Sequence, residues 1–177
     1  FVKKGGTLEG IQLWLNLPAK DKLMPPNYQH LEATQIPKIF SENQKVQLNI
    51  IAGSQKEQIG LIKTQTAVNV FTVVAKENGM LDVDIPQNHQ SLIYVLEGSI
   101  LVNDTAVLQK GENQMIVFNQ DGNSIKFEAK TTSTILILSG EPIQEKVTQH
   151  GPYVMNTQTE ILEAMRDYQQ GKMGYLY

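Results

Sequence analysis

No cysteine occurs in the 177 residues. That excludes thiol nucleophiles, thiolate zinc sites, cysteine-held iron–sulfur clusters and any disulfide framework. Arginine occurs once, as Arg166, and Lys plus Arg total 15 against 18 acidic residues, a net charge of −3. With no basic stripe, direct phosphate-driven binding of nucleic acid is not expected. The longest apolar run falls well short of the roughly 18 residues that a membrane helix needs, so no membrane partner is expected. No basic start leads into an apolar block, and the expected location is cytoplasmic. Charged residues make up only 19% of the chain, while Asn and Gln together number 30. They are dispersed among apolar residues, so solubility rests on amides as much as on charge.

The chain opens on Phe1 rather than Met, and Lys3-Lys4-Gly5-Gly6 leads at once into Glu9–Leu17. There Ile11, Leu13, Leu15 and Leu17 alternate with Gln12, Trp14 and Asn16, the period-2 pattern of a half-buried strand. A strand so near the start needs neighbours from elsewhere, so the expectation is a piece of something longer, residues 1–24 being the remnant of a preceding domain. Trp14, the sole tryptophan, is expected in core or interdomain packing. Residues 25–44 carry Pro25-Pro26 and Pro37 without a sustained period, and read as an interdomain connector.

From 45 to 140 short β-branched runs follow one another, separated by Gly, Asn and Asp turns. Strands are expected over Val46–Ala52, Ala67–Lys76, Leu81–Ile85, Leu92–Val102 broken at Gly98, Thr105–Leu108, Gln114–Phe118, Ser124–Ala129 and Thr134–Leu138. This is the pattern of an all-β, antiparallel sandwich or barrel, with Val70, Val74, Ile93, Val95, Ile116 and Ile135 facing inward. The segment 141–177 changes character. Thr157-Gln158-Thr159-Glu160 has capping-box spacing, and Ile161, Leu162, Met165 and Tyr168 make one apolar face, so a helix is expected over about 157–170.

Three stretches make the chain recognisable. Gly6-Thr7-Leu8-Glu9-Gly10-Ile11-Gln12-Leu13-Trp14-Leu15-Asn16-Leu17-Pro18-Ala19-Lys20-Asp21-Lys22 resembles the mid-protein segment of the pirin family. Gly140-Glu141-Pro142-Ile143 followed by Gln149-His150-Gly151-Pro152-Tyr153-Val154-Met155-Asn156-Thr157 resembles its C-terminal segment. Tyr94-Val95-Leu96-Glu97-Gly98 is similar to the strand and turn of its cupin domains. Asn27 and Lys146 depart from the family pattern, standing where a basic residue and a proline are common.

The resemblance implies a bicupin of two jelly-roll barrels, with iron held in the N-terminal barrel by three histidines and a glutamate. It also implies quercetin 2,3-dioxygenase-type activity for the parent protein, or a redox-responsive regulatory role through protein partners: transcriptional coregulation or docking on a metabolic enzyme. The metal-bearing half of the pattern lies upstream of the Gly-Gly-Thr-Leu segment. No catalytic, cofactor-binding or metal-ligating residue is therefore carried over, and iron is expected in that other half. This chain is expected to be the non-metal C-terminal half, not catalytic by itself.

A cupin site in the 45–140 domain itself would need imidazoles and a carboxylate converging from adjacent strands. Counting back from Tyr94, the His-x-His positions hold Asp84 and Pro86, and the glutamate position holds Gln90. Gly111–Ile125, the second motif region, contains no histidine. His89 is expected at the rim, His30 on the surface, and His150 fixing a turn before Gly151-Pro152. No serine lies in a nucleophile elbow, no phosphate or dinucleotide fingerprint appears, and nothing places two of Glu9, Glu97 and Glu112 together as paired carboxylates. The open strand 9–17 is expected to allow self-association, and a protein partner is expected to dock on the cupin surface.

Overall fold

The computed structural model of the protein describes residues 5–173, so Phe1–Lys4 and Gly174–Tyr177 lie outside the described residues. The chain divides into Pro25–Ile143 and a second unit made from Phe1–Met24 with Gln144–Tyr177.

In Pro25–Ile143 the strands are β1 (Lys38–Phe40), β2 (Val46–Ala52), β3 (Ser54–Gln55), β4 (Gln58–Ile59), β5 (Val68–Ala75) and β6 (Met80–Asp84). They continue as β7 (Gln90–Glu97), β8 (Ser99–Val102), β9 (Ala106–Gln109), β10 (Met115–Val117), β11 (Ser124–Ala129) and β12 (Ser133–Gly140). A six-stranded sheet has the order β1-β2-β5-β12-β7-β10, and a four-stranded sheet the order β6-β11-β8-β9. Every strand pair in the two sheets is antiparallel. The chain passes from one sheet to the other between β7 and β8 with only Gly98 between them. An all-β antiparallel sandwich of cupin type results, as the short β-branched runs and turn residues require.

One apolar cluster lies between the sheets. The six-stranded sheet contributes it in rows across the ladder: Leu48, Val73, Ile135 and Val95 form one row, and Ile50, Phe71, Ile137 and Ile93 the next. The four-stranded sheet faces them with Val83, Ile100, Val102, Leu108, Ile125, Phe127 and Ala129. Fully burying one such side chain stabilises by about 1.5–3 kcal/mol relative to leaving it in water, so these rows fix the register.

On β5 the inward face differs from the expected one. Phe71, Val73 and Ala75 are buried, whereas Val70 is half-buried and Val74 is 46% exposed. Both parities of this strand are apolar, so alternation alone does not choose between them. The phenylalanine decides, because it has the most surface to remove from water. Ile93, Val95 and Ile135 are buried as expected, and Ile116 packs partly buried against the cluster.

The stretch 25–44 is not connector throughout. β1 pairs with β2, and Ile50 N–H donates to Pro37 O at 2.9 Å, so its end belongs to the six-stranded sheet.

The second unit contains a hairpin of β13 (Thr148–His150) and β14 (Tyr153–Met155), then helix α1 (Gln158–Gln169). Thr157 caps α1 through a capping box: its Oγ1 accepts from Glu160 N–H at 3.3 Å, and the Glu160 carboxylate accepts from Thr157 N–H at 2.7 Å. The Glu160 carboxyl is held below its ordinary pKa first by the Thr157 hydroxyl, which donates to it at 3.0 Å, and then by the backbone N–H groups of Asn156 and Thr157. Residues 9–17 form no strand. Alternation gives a strand only where a second strand supplies the ladder, and none pairs with this segment among the described residues. Ile11, Leu13 and Leu15 are about half exposed and Trp14 is 70% exposed, so the tryptophan is not a core residue of this unit. The surface expected for self-association is therefore a set of exposed apolar side chains and not a strand edge.

Candidate functional site

Beyond the Ile50–Phe71–Ile137–Ile93 row the interior of the sandwich turns polar. Asn69, Ser139 and Ser91 are register partners across β5, β12 and β7, and all three are buried. His89, two residues before Ser91 and on the same face, is only 7% exposed. Burying four polar side chains at one end of an apolar core is costly unless each finds partners.

The partners form a directed chain. A bulge after Ile50 and the turn at Gly53 bring Ser54 N–H to Asn69 Oδ1 at 3.1 Å. That fixes the orientation of the amide, so Asn69 Nδ2 donates to Ser139 Oγ at 3.0 Å. Ser139 Oγ lies 3.0 Å from His89 Nδ1. The hydroxyl already accepts from Asn69, and its own proton has no other acceptor among the described residues. It therefore donates to Nδ1, and neutral His89 carries its proton on Nε2. Burial lowers the His89 pKa, and the Glu141 carboxylate opposes the shift only in part.

A cavity of about 60 Å³ opens beside this row. His89 and Ser91 line its buried side with Ile85, Phe118 and Ile125, and Asp121 and Ser124 are among its other walls. Nε2 of His89 and Oγ of Ser91 have no protein partner among the described residues.

The residues counted as cupin ligand positions do not share this interior. Asp84, Pro86 and Gln90 are all exposed, and the buried positions are their neighbours Val83, Ile85, His89 and Ser91. Gln90 Nε2 donates to Phe118 O, and Asp84 accepts from Gln55 Nε2 at 3.3 Å. His89 is thus not a rim residue. Strand parity places it inside, where its neighbour Gln90 is held out. The other histidines lie apart: His30 is exposed and 2.9 Å from Glu32 Oε1, and His150 is exposed at the end of β13. Among the described residues no group of three His, Asp or Glu side chains is placed to hold a metal. The donor set around His89 does not fit the three-histidine, one-carboxylate iron site of the family resemblance.

Two other chemistries are excluded by geometry. Ser139 beside His89 is not an activated nucleophile, since it is buried and its oxygen is already held by Asn69. Glu97 is exposed and paired with Lys110, an arrangement that suits a surface ion pair and not acid–base catalysis.

The relay carries a pH dependence. A histidine whose pKa is lowered by folding adds stability that is complete above its ordinary value near 6.5 and is lost as pH falls through that value towards the folded pKa. The unfolding free-energy difference between the native chain and H89Q is therefore expected to narrow from pH 7.5 to 5.5. Urea unfolding at several pH values in this window measures it, and a constant difference would contradict the buried neutral imidazole.

The profile of the pirin C-terminal cupin domain matches residues 70–174. A Pseudomonas aeruginosa protein, named as a candidate quercetin 2,3-dioxygenase, is 36% identical over 172 residues, covering 97% of this chain and 59% of that protein. Human pirin is 31% identical over 168 residues, covering 94% of the chain and 57% of pirin. The crystal structure of a quercetin 2,3-dioxygenase from Acinetobacter baumannii superposes with a TM-score of 0.85 at 33% identity, over 93% of this chain and 56% of that one. The chain thus spans less than two thirds of the length of these relatives. With the profile matching more than half of its residues, and the β-sandwich and C-terminal helix that such a match demands, the chain belongs to the pirin family.

Proposed function

We propose that this chain is the metal-free cupin half of a pirin-type protein with quercetin 2,3-dioxygenase activity, whose iron is held by residues outside this sequence. The similarity to the A. baumannii quercetin 2,3-dioxygenase, at 33% identity over 93% of the chain, carries the reading. The interior face supports the metal-free part, because its polar end offers one imidazole, an amide and two hydroxyls, and hydroxyls and amides are weak ligands for iron. In this reading the chain contributes a rigid second barrel to the enzyme and does not itself turn over flavonol. A second reading, a redox-responsive regulator that works by protein docking, is favoured by the exposed Ile11, Leu13, Trp14 and Leu15.

Anaerobic loading with ferrous iron, chelation and elemental analysis test the proposal, followed by an assay of quercetin and oxygen consumption. The 177-residue chain is expected to retain no iron and show no turnover. A protein extended to the relatives' full length is expected to retain about one iron per chain and to consume quercetin. Stoichiometric iron in the short chain would overturn the metal-free assignment. An iron-loaded long chain without turnover would overturn the enzymatic one in favour of the docking reading.

A further inference from the structure

The hairpin of β3 and β4 crosses the end of the sandwich that carries the polar row. We propose that it is a lid that opens independently of the two sheets, with the Gln55 side chain as its latch. The inference concerns Pro25–Ile143 alone and does not depend on the chain's place in a dioxygenase.

The first ground is how little holds the hairpin shut. Of residues 54–59 only Gln55 is buried, at 3% exposure, and Ile59, the one large apolar side chain among them, is 65% exposed. An element that buries no apolar side chain of its own loses little on opening. Its closed position rests on two polar contacts, Ser54 N–H to Asn69 Oδ1 at 3.1 Å and Gln55 Nε2–H to Asp84 Oδ2 at 3.3 Å. Asp84 ends β6 in the four-stranded sheet, and the hairpin continues β2 of the six-stranded one. The Gln55 side chain therefore spans the gap between the sheets.

The second ground is that this one latch is imperfectly satisfied. Gln55 Oε1 is buried and has no hydrogen-bond partner among the described residues. Turning the amide over would set the oxygen against the Asp84 carboxylate and strand a donor in its place. Neither orientation satisfies the side chain. A buried acceptor without a partner forfeits its hydration, and this one regains water only when the hairpin lifts. A methionine of nearly the same shape would fill the gap without that cost, and the exposed Asp84 would take water instead. Glutamine thus weakens the closed state at the only buried side chain that could secure it.

The third ground is what the movement uncovers. Gly60 N–H donates to Gly53 O at 2.8 Å and closes the base of the hairpin, where Gly53 has φ +82°. A rotation at that base carries residues 54–59 away as one piece. Lifting breaks the Ser54–Asn69 bond, so water reaches Asn69 and, behind it, Ser139 and His89.

Hydrogen exchange of the full chain over a series of low urea concentrations makes the test. Ser54 N–H and the Asn69 side-chain amide are expected to be protected at least a hundredfold less than the backbone amides of Phe71 and Ile137, and independently of urea. Gln55→Met, which removes the orphaned oxygen, is expected to slow exchange at Ser54 and Asn69 about tenfold. Gln55→Glu, which sets a second carboxylate against Asp84, is expected to speed it about tenfold. Protection of Ser54 equal to that of Phe71, with the same urea dependence, would make the hairpin a fixed wall and overturn the proposal. Unchanged or faster exchange in Q55M would overturn the latch. Rapid exchange at Ser54 with Asn69 protected like the core would overturn the lid, because the hairpin would then open without uncovering the row.

Discussion

Replacing Gly53 by alanine is expected to cost about 2–4 kcal/mol of folding free energy and to dismantle the polar row together with it. Gly53 has φ +82°, a conformation in which a Cβ costs roughly 1–2 kcal/mol. More damaging is the space: an added Cβ would lie 2.0 Å from Asn69 Oδ1 and 2.5 Å from Val68 O. Neither the strand backbone nor the clamped amide can yield without losing Ser54 N–H as a partner, and Ser139 then loses the amide that holds it. Gly111 provides the comparison, with φ +85° and nothing within 4 Å of the added carbon. Gly111→Ala is expected to show the backbone cost alone, about 1–2 kcal/mol. Chemical denaturation gives both values, and the ¹⁵N spectrum of His89 reports the site. A loss in G53A no larger than in G111A, with the Nε2–H tautomer intact, would show that the close approach to Asn69 does not support the row.

Phe71→Ala is expected to be among the most destabilising single truncations in the sandwich, at about 3–5 kcal/mol. Phe71 is fully buried, between Ile50 on β2 and Ile137 on β12, in the last apolar row before the polar one. The void left by its ring would lie beside Asn69 and Ser139, so water reaching the row is expected to weaken the Ser139–His89 bond as well. Val74, three residues on and just as apolar, is 46% exposed. Val74→Thr is therefore expected to change stability by less than about 0.5 kcal/mol. Urea midpoints with unchanged slopes would establish the pair of values. A costly V74T beside a mild F71A would mean that β5 faces the core with its other side.

The contrast on β5 shows where reading of the sequence stops. Turn residues and β-branched runs placed most of the strands between residues 46 and 140 close to where they form, because a Gly or Asn turn and a half-buried strand are local consequences of local chemistry. The helix was legible for the same reason, since Thr157 and Glu160 satisfy each other's backbone within one turn. Parity was legible on β2, where Gln47 and Asn49 alternate with Val46, Leu48 and Ile50, but not on β5, where Val70, Val74, Phe71 and Val73 satisfy either alternation.

The segment 9–17 has the period of a strand and forms none, because a ladder needs a second strand that no property of the segment itself supplies. The site was less legible still. Counting from Tyr94 pointed to Asp84, Pro86 and Gln90, all exposed, and passed over Asn69 and Ser139, which carry no motif. Those two meet His89 only because β12 lies between β5 and β7 in the sheet, an order with strand 12 beside strands 5 and 7 that no local signal encodes. By itself the sequence determined the antiparallel β class, most of the strands and turns and the capped helix, each written in neighbouring residues. The tertiary structure alone decided which face of β5 is core, which residues stand in the polar row and which nitrogen of His89 carries the proton. Those depend on pairings across 20 to 70 residues, where burial of Phe71 and satisfaction of Asn69 choose among patterns that are locally equivalent.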